Sequence, residues 1–461
     1  MEEPFDIAAD LDTPVSAFLK LAPFRPCFLL ESVVGGERVG RYSFIGLGEG
    51  LVLTIAGSRT TLRSDGHAIE TNGEAIAAAL RRALAQAPRP GPEIAGVPFR
   101  GGLVGYAAYD LARRFAGAPA SARGLFPEPE AAYVAPRTIL VFDHVTRRIA
   151  LLHDGDADDR RRLRREIAMA LRGALPVQAS GGVREEPAPS LTERAYRAAV
   201  GRAKDHIAAG DVYQLVLSAR FSGRGDLDPF LVYRGLRLLN PSPYMYFWTW
   251  NGLSIVGSSP EALVRLEGRK ALLRPIAGTR PRGADAAADA ALESELLADP
   301  KEAAEHVMLV DLARNDLGRV SVPGTIEVSP YRAIERYSHV MHLVSGVTGV
   351  LAPAWDAFDL FAATFPAGTV VGAPKRRAME LIDALEPVGR GPYAGAVGYF
   401  GHGGAMDQAI AIRTIVFREG TYAFQAGAGI VADSDPDREW AEVHAKRAAL
   451  EAAMRFAEEE S

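Results

Sequence analysis

The sequence predicts an α+β fold in two parts, and three observations predict it. The chain has 461 residues, more than the ~250–300 at which one hydrophobic core usually stops growing. Its first third consists of short runs rich in β-branched and aromatic residues, separated by Gly and Asp, which is the pattern of strands and tight turns. From Thr192 to the end, helical and strand-like patterns alternate.

The elements follow in order. RYSFIGL, LVLTIAG and RTTLRS, at 41–47, 51–57 and 59–64, read as strands. EAIAAALRRALAQ at 74–86 has apolar residues at helical spacing, and the proline-rich APRPGP after it ends the helix. GGLVGYAAYD (101–110) and RTILVFDHVTRRIALL (137–152) return to the strand pattern, the second as a hairpin around His144–Thr146. DGDADDRRRLRREIAMALRGAL is a charged helix. QASGGVREEPAPSLT, polar and rich in Gly, Pro and Ser, places a linker at 177–191. The expected units are therefore 1–176 and 192–461, both within the usual range of domain sizes.

Composition narrows the function classes. Hydrophobic residues make up 48% and charged residues 24%, as in globular proteins. The net charge of −5 offers no basic excess for nucleic acid or an anionic membrane surface. The single cysteine, Cys27, fits a reducing compartment. The acidic N-terminus lacks a signal-peptide pattern and no apolar run approaches the ~20 residues of a membrane span. The expectation is a cytoplasmic protein.

Two carboxylates stand out. In DPKEAAEHVMLVDLARND (299–316), Asp299 suits an N-cap and Pro300 the first turn. Glu302, three residues after the cap, fits a capping box. Glu305 has no such explanation: it shares a helix face with Met308, Leu309 and Leu312, and a bare charge on an apolar stripe is costly. In the last helix, capped by Asp435 and Pro436, Glu442 lies at the edge of a stripe of Trp440, Val443, Leu450 and Met454. Two readings of Glu442 and Lys446 stand: an i,i+4 surface pair, or part of a site. Two glutamates on separate helices suit a hard cation such as Mg²⁺, which takes one or two carboxylates plus oxygens of an anionic ligand. No His or Cys cluster has zinc spacing.

Other motifs suit an anion. RPIAGTRPRG (274–283) holds three arginines and presents Gly278 and Thr279 in a turn. DLARNDLGRV (311–320) places Arg314 and Arg319 at a helix end, where cations are favoured anyway. Arg413 interrupts the apolar strand AIAIRTIVF, so it pairs either with an internal acid or with an anionic ligand. AGAGIVADS (426–434) lets a ligand approach the backbone. TFPAGTVVGAPKRRAMELID (364–383) is a Gly-Pro loop entering a helix whose amides suit an anion.

These motifs, with GDVYQLVLS (210–218), SSPEALV (258–264), YSHVMHLVSG (337–346) and GYFG, occur in one order over 195–455, and together they resemble the chorismate-utilising enzymes. FLLESVVGGERVGRYSFIG (28–46) is similar to the N-terminal domain of anthranilate synthase component I. The resemblance implies large antiparallel sheets with helices packed outside. It implies that Glu305 and Glu442 hold Mg²⁺, that Gly278, Thr279 and His342 contact the chorismate ring, and that Tyr399, Arg413, Gly427, Gly429 and Lys446 surround its enolpyruvyl group and carboxylates. Arg314 and Arg319 are further candidates for substrate binding, and Glu261 is the expected acid that protonates the departing 4-hydroxyl. Leu30, Glu31 and Ser32 on one side, and Asn240, Pro241, Ser242, Pro243, Tyr244 and Met245 on the other, resemble the walls of a tryptophan feedback site.

Two positions separate the members of this family. Aminodeoxychorismate synthases commonly carry a lysine nucleophile where this chain has Ala277. Isochorismate and salicylate synthases use a lysine base where this chain has Gln214. Neutral ammonia needs neither, so the resemblance implies an anthranilate synthase large subunit that joins chorismate and ammonia and releases anthranilate and pyruvate. His342 is the candidate to assist pyruvate elimination. Cys27 has no nucleophile context for glutamine hydrolysis. The expected partner is therefore a separate glutamine amidotransferase subunit, in a heterotetramer of two large and two small chains. GHGGAMDQ (401–408) departs from the polar loop expected after GYF. Rival readings are another enzyme of the family and a catalytically silent tryptophan-binding protein.

Overall fold

A computed structural model describes residues 4–33, 40–116, 129–176, 181–337 and 340–460. Parts of the 28–46 and 337–346 motifs, at 34–39 and 338–339, lie outside the described residues. Two antiparallel sheets of twelve and eleven strands make the framework, with a three-stranded sheet beside them.

Both large sheets cross the expected linker. Pro26–Glu31 pairs with Tyr244–Trp250 in one, and Gly102–Ala107 pairs with Ala396–Gly401 in the other. Part of the linker is itself an edge: Ala188–Pro189 pairs with Phe221 and Ser222. The division at 177–191 is thus one of sequence, and both sheets are shared across it.

The two sheets face each other because their strands alternate. Phe28 and Trp248 of one sheet and Val104, Tyr106 and Tyr399 of the other form a common apolar layer, while Leu29 and Phe400 turn to the opposite faces. Trp248 donates its indole N–H to the Val104 carbonyl across the gap at 3.1 Å, so this buried aromatic leaves no unsatisfied donor. Helices cover the outer faces.

The predicted helix starts hold. Pro300–Gly318 is capped by Asp299, which accepts from the N–H groups of Lys301 and Glu302. Pro436–Glu459 is capped by Asp435 in the same way. The return bond of a capping box is absent at Glu302, whose carboxylate turns to Arg280 at 3.4 Å instead. AIAIRTIVF is not one strand. Met406–Ile410 belongs to the eleven-stranded sheet and Thr414–Arg418 to the twelve-stranded one. Arg413 sits at the crossing with φ 50°, a left-handed conformation that ends a strand. The 401–408 segment is a tight connection between Ala396–Gly401 and Met406–Ile410, with His402 accepted by the Pro88 carbonyl at 2.7 Å. Among the described residues no helix is long and apolar enough to cross a membrane.

Candidate active site

The floor of the site is a glycine-bearing sheet face. Gly427 and Gly429 lie on one face of Thr421–Ile430, opposite Ser218 and Val216 of Gln214–Arg224. A Cβ at Gly429 would stand 2.6 Å from Gln214 Nε2, and one at Gly427 would stand 2.9 Å from the Tyr393 hydroxyl. A Cβ at Gly427 would also stand 2.7 Å from the Leu217 carbonyl, so that position needs glycine, whereas at Gly429 the Gln214 amide would have to move.

Lys446 pins the last helix to this floor. Its Nζ donates to the Gly427 carbonyl at 2.8 Å and pairs with Glu442 at 2.7 Å. The i,i+4 pair anticipated from the helix is therefore present, with the sheet as a third partner. Facing it, Glu305 projects from Pro300–Gly318. Burial raises its carboxyl, and the charges of Glu302, Glu442 and Glu439 add to the rise. Glu439 is raised in turn by burial, with Glu442 adding to it and Ser434 opposing it. Four carboxylates from two helices thus repel one another, an arrangement that a bound cation relieves. Among the described residues no three His, Cys, Asp or Glu groups are arranged to enclose a metal ion. The donor set fits a hard cation held by two carboxylates and completed by a ligand's oxygens.

Glu261 lies on the other side of Lys446. Its wall includes Leu309, Leu312, Ala313, Gly368 and Thr369, around a cavity of about 40 Å³. Burial pushes its carboxyl up to about 8, with the Thr369 hydroxyl and the Lys446 charge opposing the rise. It is therefore a protonated acid at neutral pH, ready to donate.

The third wall is the strand pair Ile276–Pro281 and Val340–Val344, which carries a bulge between Ala277 and Thr279. Gly278 occupies the bulge with φ +68°, and a Cβ there would stand 3.2 Å from Glu302 Oε2. His342 Nδ1 lies 3.2 Å from the Gly278 carbonyl and 3.0 Å from Thr279 Oγ1. A carbonyl only accepts, so Nδ1 carries the proton and Nε2 keeps its lone pair. Burial lowers the His342 pKa, and the Arg413 charge lowers it further. Arg413 itself has no carboxylate partner among the described residues, and burial alone depresses its pKa. Of the two readings of Arg413, the internal acid is not found among the described residues.

A chain of neighbours thus links Arg413, His342, Gly278, Glu302, Glu305, Glu442, Lys446 and Glu261. Three expected residues stand elsewhere. Arg314 is exposed and bonded to Asp311 at 2.8 Å; Arg319 is exposed and bonded to Asp316 at 3.1 Å. Both behave as ordinary cations near a helix end. Tyr399 packs 4.6 Å from Phe99 between the sheets. The tyrosine over the glycine floor is Tyr393, whose only signal in the sequence is its place in a GPYAG turn.

The two presumed regulatory segments are brought together. Met245 pairs with Glu31 and Tyr246 with Leu30. The Val33 N–H reaches the Ser242 carbonyl at 3.4 Å. Asn240 and Ser242 meet Ser258 at 3.3 and 2.9 Å, in the turn that also carries Pro241 and Pro243. Glu31 is already taken by Tyr233 and by Arg237 at 3.0 Å, whereas the Ser32 hydroxyl is buried without a partner among the described residues. Tyr244 donates to Asp407 at 3.0 Å. Burial pushes Asp407 up to about 6, with Arg265 and Tyr244 opposing. Tyr399 and Asp407 therefore belong on this side of the sheets.

Known proteins share this fold. Anthranilate synthase component 1 of Pseudomonas aeruginosa is 45% identical over 474 aligned residues, covering 99% of this chain and 95% of that protein. The corresponding protein of Thermus thermophilus is 45% identical over 456, covering 98% and 97%. The crystal structure of anthranilate synthase component I from Streptococcus pneumoniae superposes with a TM-score of 0.77 at 32% identity, covering 98% of each chain. The profile of the chorismate binding enzymes matches residues 25–452. With a family match over nearly its whole length and relatives this similar, the chain belongs to the chorismate binding enzymes, alongside the anthranilate synthase component 1 proteins.

Proposed function

We propose that the chain converts chorismate and ammonia into anthranilate, pyruvate and water, the entry step of tryptophan biosynthesis, with ammonia supplied by a glutamine amidotransferase subunit. One observation carries the choice of reaction. Gln214 lies over Gly429, and Ala277 flanks the Gly278 bulge. Neither side chain is a base or a nucleophile, so the attacking group must arrive already nucleophilic, as ammonia does.

Arg413 and Lys446 bind and orient the two substrate carboxylates and the enolpyruvyl group. Glu305 and Glu442 would hold Mg²⁺, which when bound would supply an electrostatic clamp for a substrate carboxylate. Ammonia forms a bond at C2 while the bond from C4 to its hydroxyl breaks, and Glu261 gives that hydroxyl the proton that lets it leave as water. The C2 proton then departs and the C3–oxygen bond breaks, releasing pyruvate as the ring becomes aromatic. His342 is the neutral base nearest the ring-contacting turn, with Nε2 as its accepting atom.

The direct test mixes the purified chain with chorismate, ammonium and Mg²⁺ and follows product by fluorescence and mass. Anthranilate with pyruvate supports the reading; aminodeoxychorismate, isochorismate or salicylate refutes it. Glu305→Gln is expected to lower Mg²⁺-dependent turnover by about two to three orders of magnitude, as for removal of one partner of a buried charge cluster. Its melting temperature is expected to hold or rise, since one of four repelling carboxylates is gone. Normal turnover in this variant would remove Glu305 from the metal site.

Tryptophan is the proposed inhibitor, held beside the paired strands that carry Glu31 and Met245. The Ser32 hydroxyl, without a partner among the described residues, supports this: a buried donor without a partner is costly unless a ligand satisfies it. Ser32→Ala is expected to raise the tryptophan concentration for half inhibition about fivefold, the worth of one neutral hydrogen bond, with kcat unchanged. Unaltered inhibition would show that Ser32 does not touch the inhibitor.

A further inference from the structure

We infer that tryptophan acts on chorismate binding through the backbone of Arg413, with Tyr246 and Ser258 as the residues that carry the effect. The inference rests on the inhibitor site proposed above and on Arg413 as the holder of a substrate carboxylate.

Two hydrogen bonds fix the chain at Arg413, and both come from the segments beside that inhibitor site. The first is to its own carbonyl, which accepts the Ser258 N–H at 3.1 Å. The Ser258 side chain faces the 240–243 turn. Its hydroxyl meets the Asn240 carbonyl, the Asn240 amide at 3.3 Å and the Ser242 hydroxyl at 2.9 Å. One residue thus joins the turn to Arg413, by its side chain at one end and its backbone at the other. The second bond is at Thr414, whose hydroxyl lies 2.6 Å from the Tyr246 hydroxyl and 2.9 Å from the Ile412 carbonyl. A carbonyl only accepts, so the Thr414 proton goes to Ile412 and Tyr246 donates to Thr414. Tyr246 is buried, follows Met245 in the chain and pairs with Leu30 on the opposite strand.

Arg413 stands at these bonds in a left-handed conformation, φ 50°, which a residue with a Cβ keeps only where its surroundings over-determine it. Displacing either bond lets the residue relax toward the extended region, and the guanidinium moves with it. The left-handed and extended wells are discrete, so a small shift of the paired strands suffices to change the setting. Tryptophan and chorismate then oppose each other at Arg413 without sharing a site. Linkage makes the effect reciprocal, each ligand weakening the other by the same factor.

The test measures the tryptophan Kd of the full chain by calorimetry, with and without saturating chorismate. Mg²⁺ is present and ammonia is withheld, so that nothing turns over. The ratio of the two Kd values is the coupling factor, expected at about 5–150 in the parent. Tyr246→Phe removes only the hydroxyl and is expected to cut that factor about fivefold, the worth of one neutral hydrogen bond, while tryptophan alone binds as before. Ser258→Ala keeps the N–H to Arg413, loses the side-chain bonds to the turn, and is expected to act in the same direction. It carries the test if Tyr246→Phe does not fold. An unchanged factor in a folded variant overturns the inference, whether or not tryptophan alone binds more weakly, because a merely structural residue changes both Kd values alike. A parent that binds tryptophan with a factor of one overturns it as well. A parent that binds no tryptophan refutes the inhibitor site itself.

Discussion

Replacing Glu261 by Gln is expected to lower kcat for anthranilate formation by about 10²–10⁴-fold, the usual contribution of a positioned general acid. The chorismate KM should change little, because the amide keeps the size and polarity of the acid. The pH profile separates this role from a structural one. Glu261 is pushed up to about 8 by burial, so it holds its proton through neutrality and loses it above. At fixed free ammonia, the parent rate is expected to be level below pH 8 and to fall above it. Glu261→Gln should abolish that alkaline limb along with most of the rate. Free ammonia must be held constant, since its own ionisation otherwise raises the rate over the same interval. Stability gives an independent reading. The carboxyl binds its proton more tightly in the folded state, with a pKa of about 8 against an ordinary 4.5. Its contribution to stability is thus lost progressively as pH rises between those values. The Gln variant has no proton to lose and is expected to melt higher than the parent at pH 8. A variant with full activity, or with an intact alkaline limb, would take the acid role away from Glu261.

The sequence was most legible where the chemistry is local. Asp299-Pro300 and Asp435-Pro436 announce helix starts because capping involves only neighbouring backbone N–H groups. Glu305 was conspicuous because a carboxylate on an apolar helix face violates the pattern around it. What stayed hidden depends on distant pairing. Nothing near Pro26–Glu31 or Tyr244–Trp250 states that they are adjacent strands, and so the two halves looked separable. Tyr393 and Tyr399 are six residues apart and equally aromatic. Only the alternation of Ala396–Gly401 in its sheet sends Tyr399, with Val397, into the inter-sheet layer. Asp407 passed unnoticed because a single acid in a short strand reads as an exposed position until Tyr244 arrives from another strand. Glu302 met the spacing of a capping box, but Arg280 offered a charged partner, which is the stronger bond.

Arg413→Met is expected to separate function from folding more sharply than any other change. Most buried arginines sit beside an acid, and truncating them leaves that acid stranded. Arg413 has no such partner among the described residues, and it holds a left-handed backbone conformation with φ 50° that costs about 1 kcal/mol in a residue with a Cβ. It also carries a desolvated charge. The fold therefore bears a charge at this position that no acid among the described residues offsets, as sites built for ligands often do. Methionine keeps the stem that packs at the crossing between the two sheets and removes the charge. The melting temperature should accordingly hold or rise. Turnover should move the other way. A guanidinium holding a substrate carboxylate in a partly desolvated site is worth about 2–5 kcal/mol, so kcat/KM for chorismate is expected to fall by roughly two to three orders of magnitude. The neighbouring His342 supplies a second readout. The Arg413 charge is one cause of its lowered pKa, so removing that charge should move the His342 titration upward, visible in its imidazole proton resonances. Loss of stability together with activity would mean that Arg413 is a structural residue after all. Loss of activity alone, with a firmer fold and a more basic His342, is the outcome that an anion-binding arginine requires.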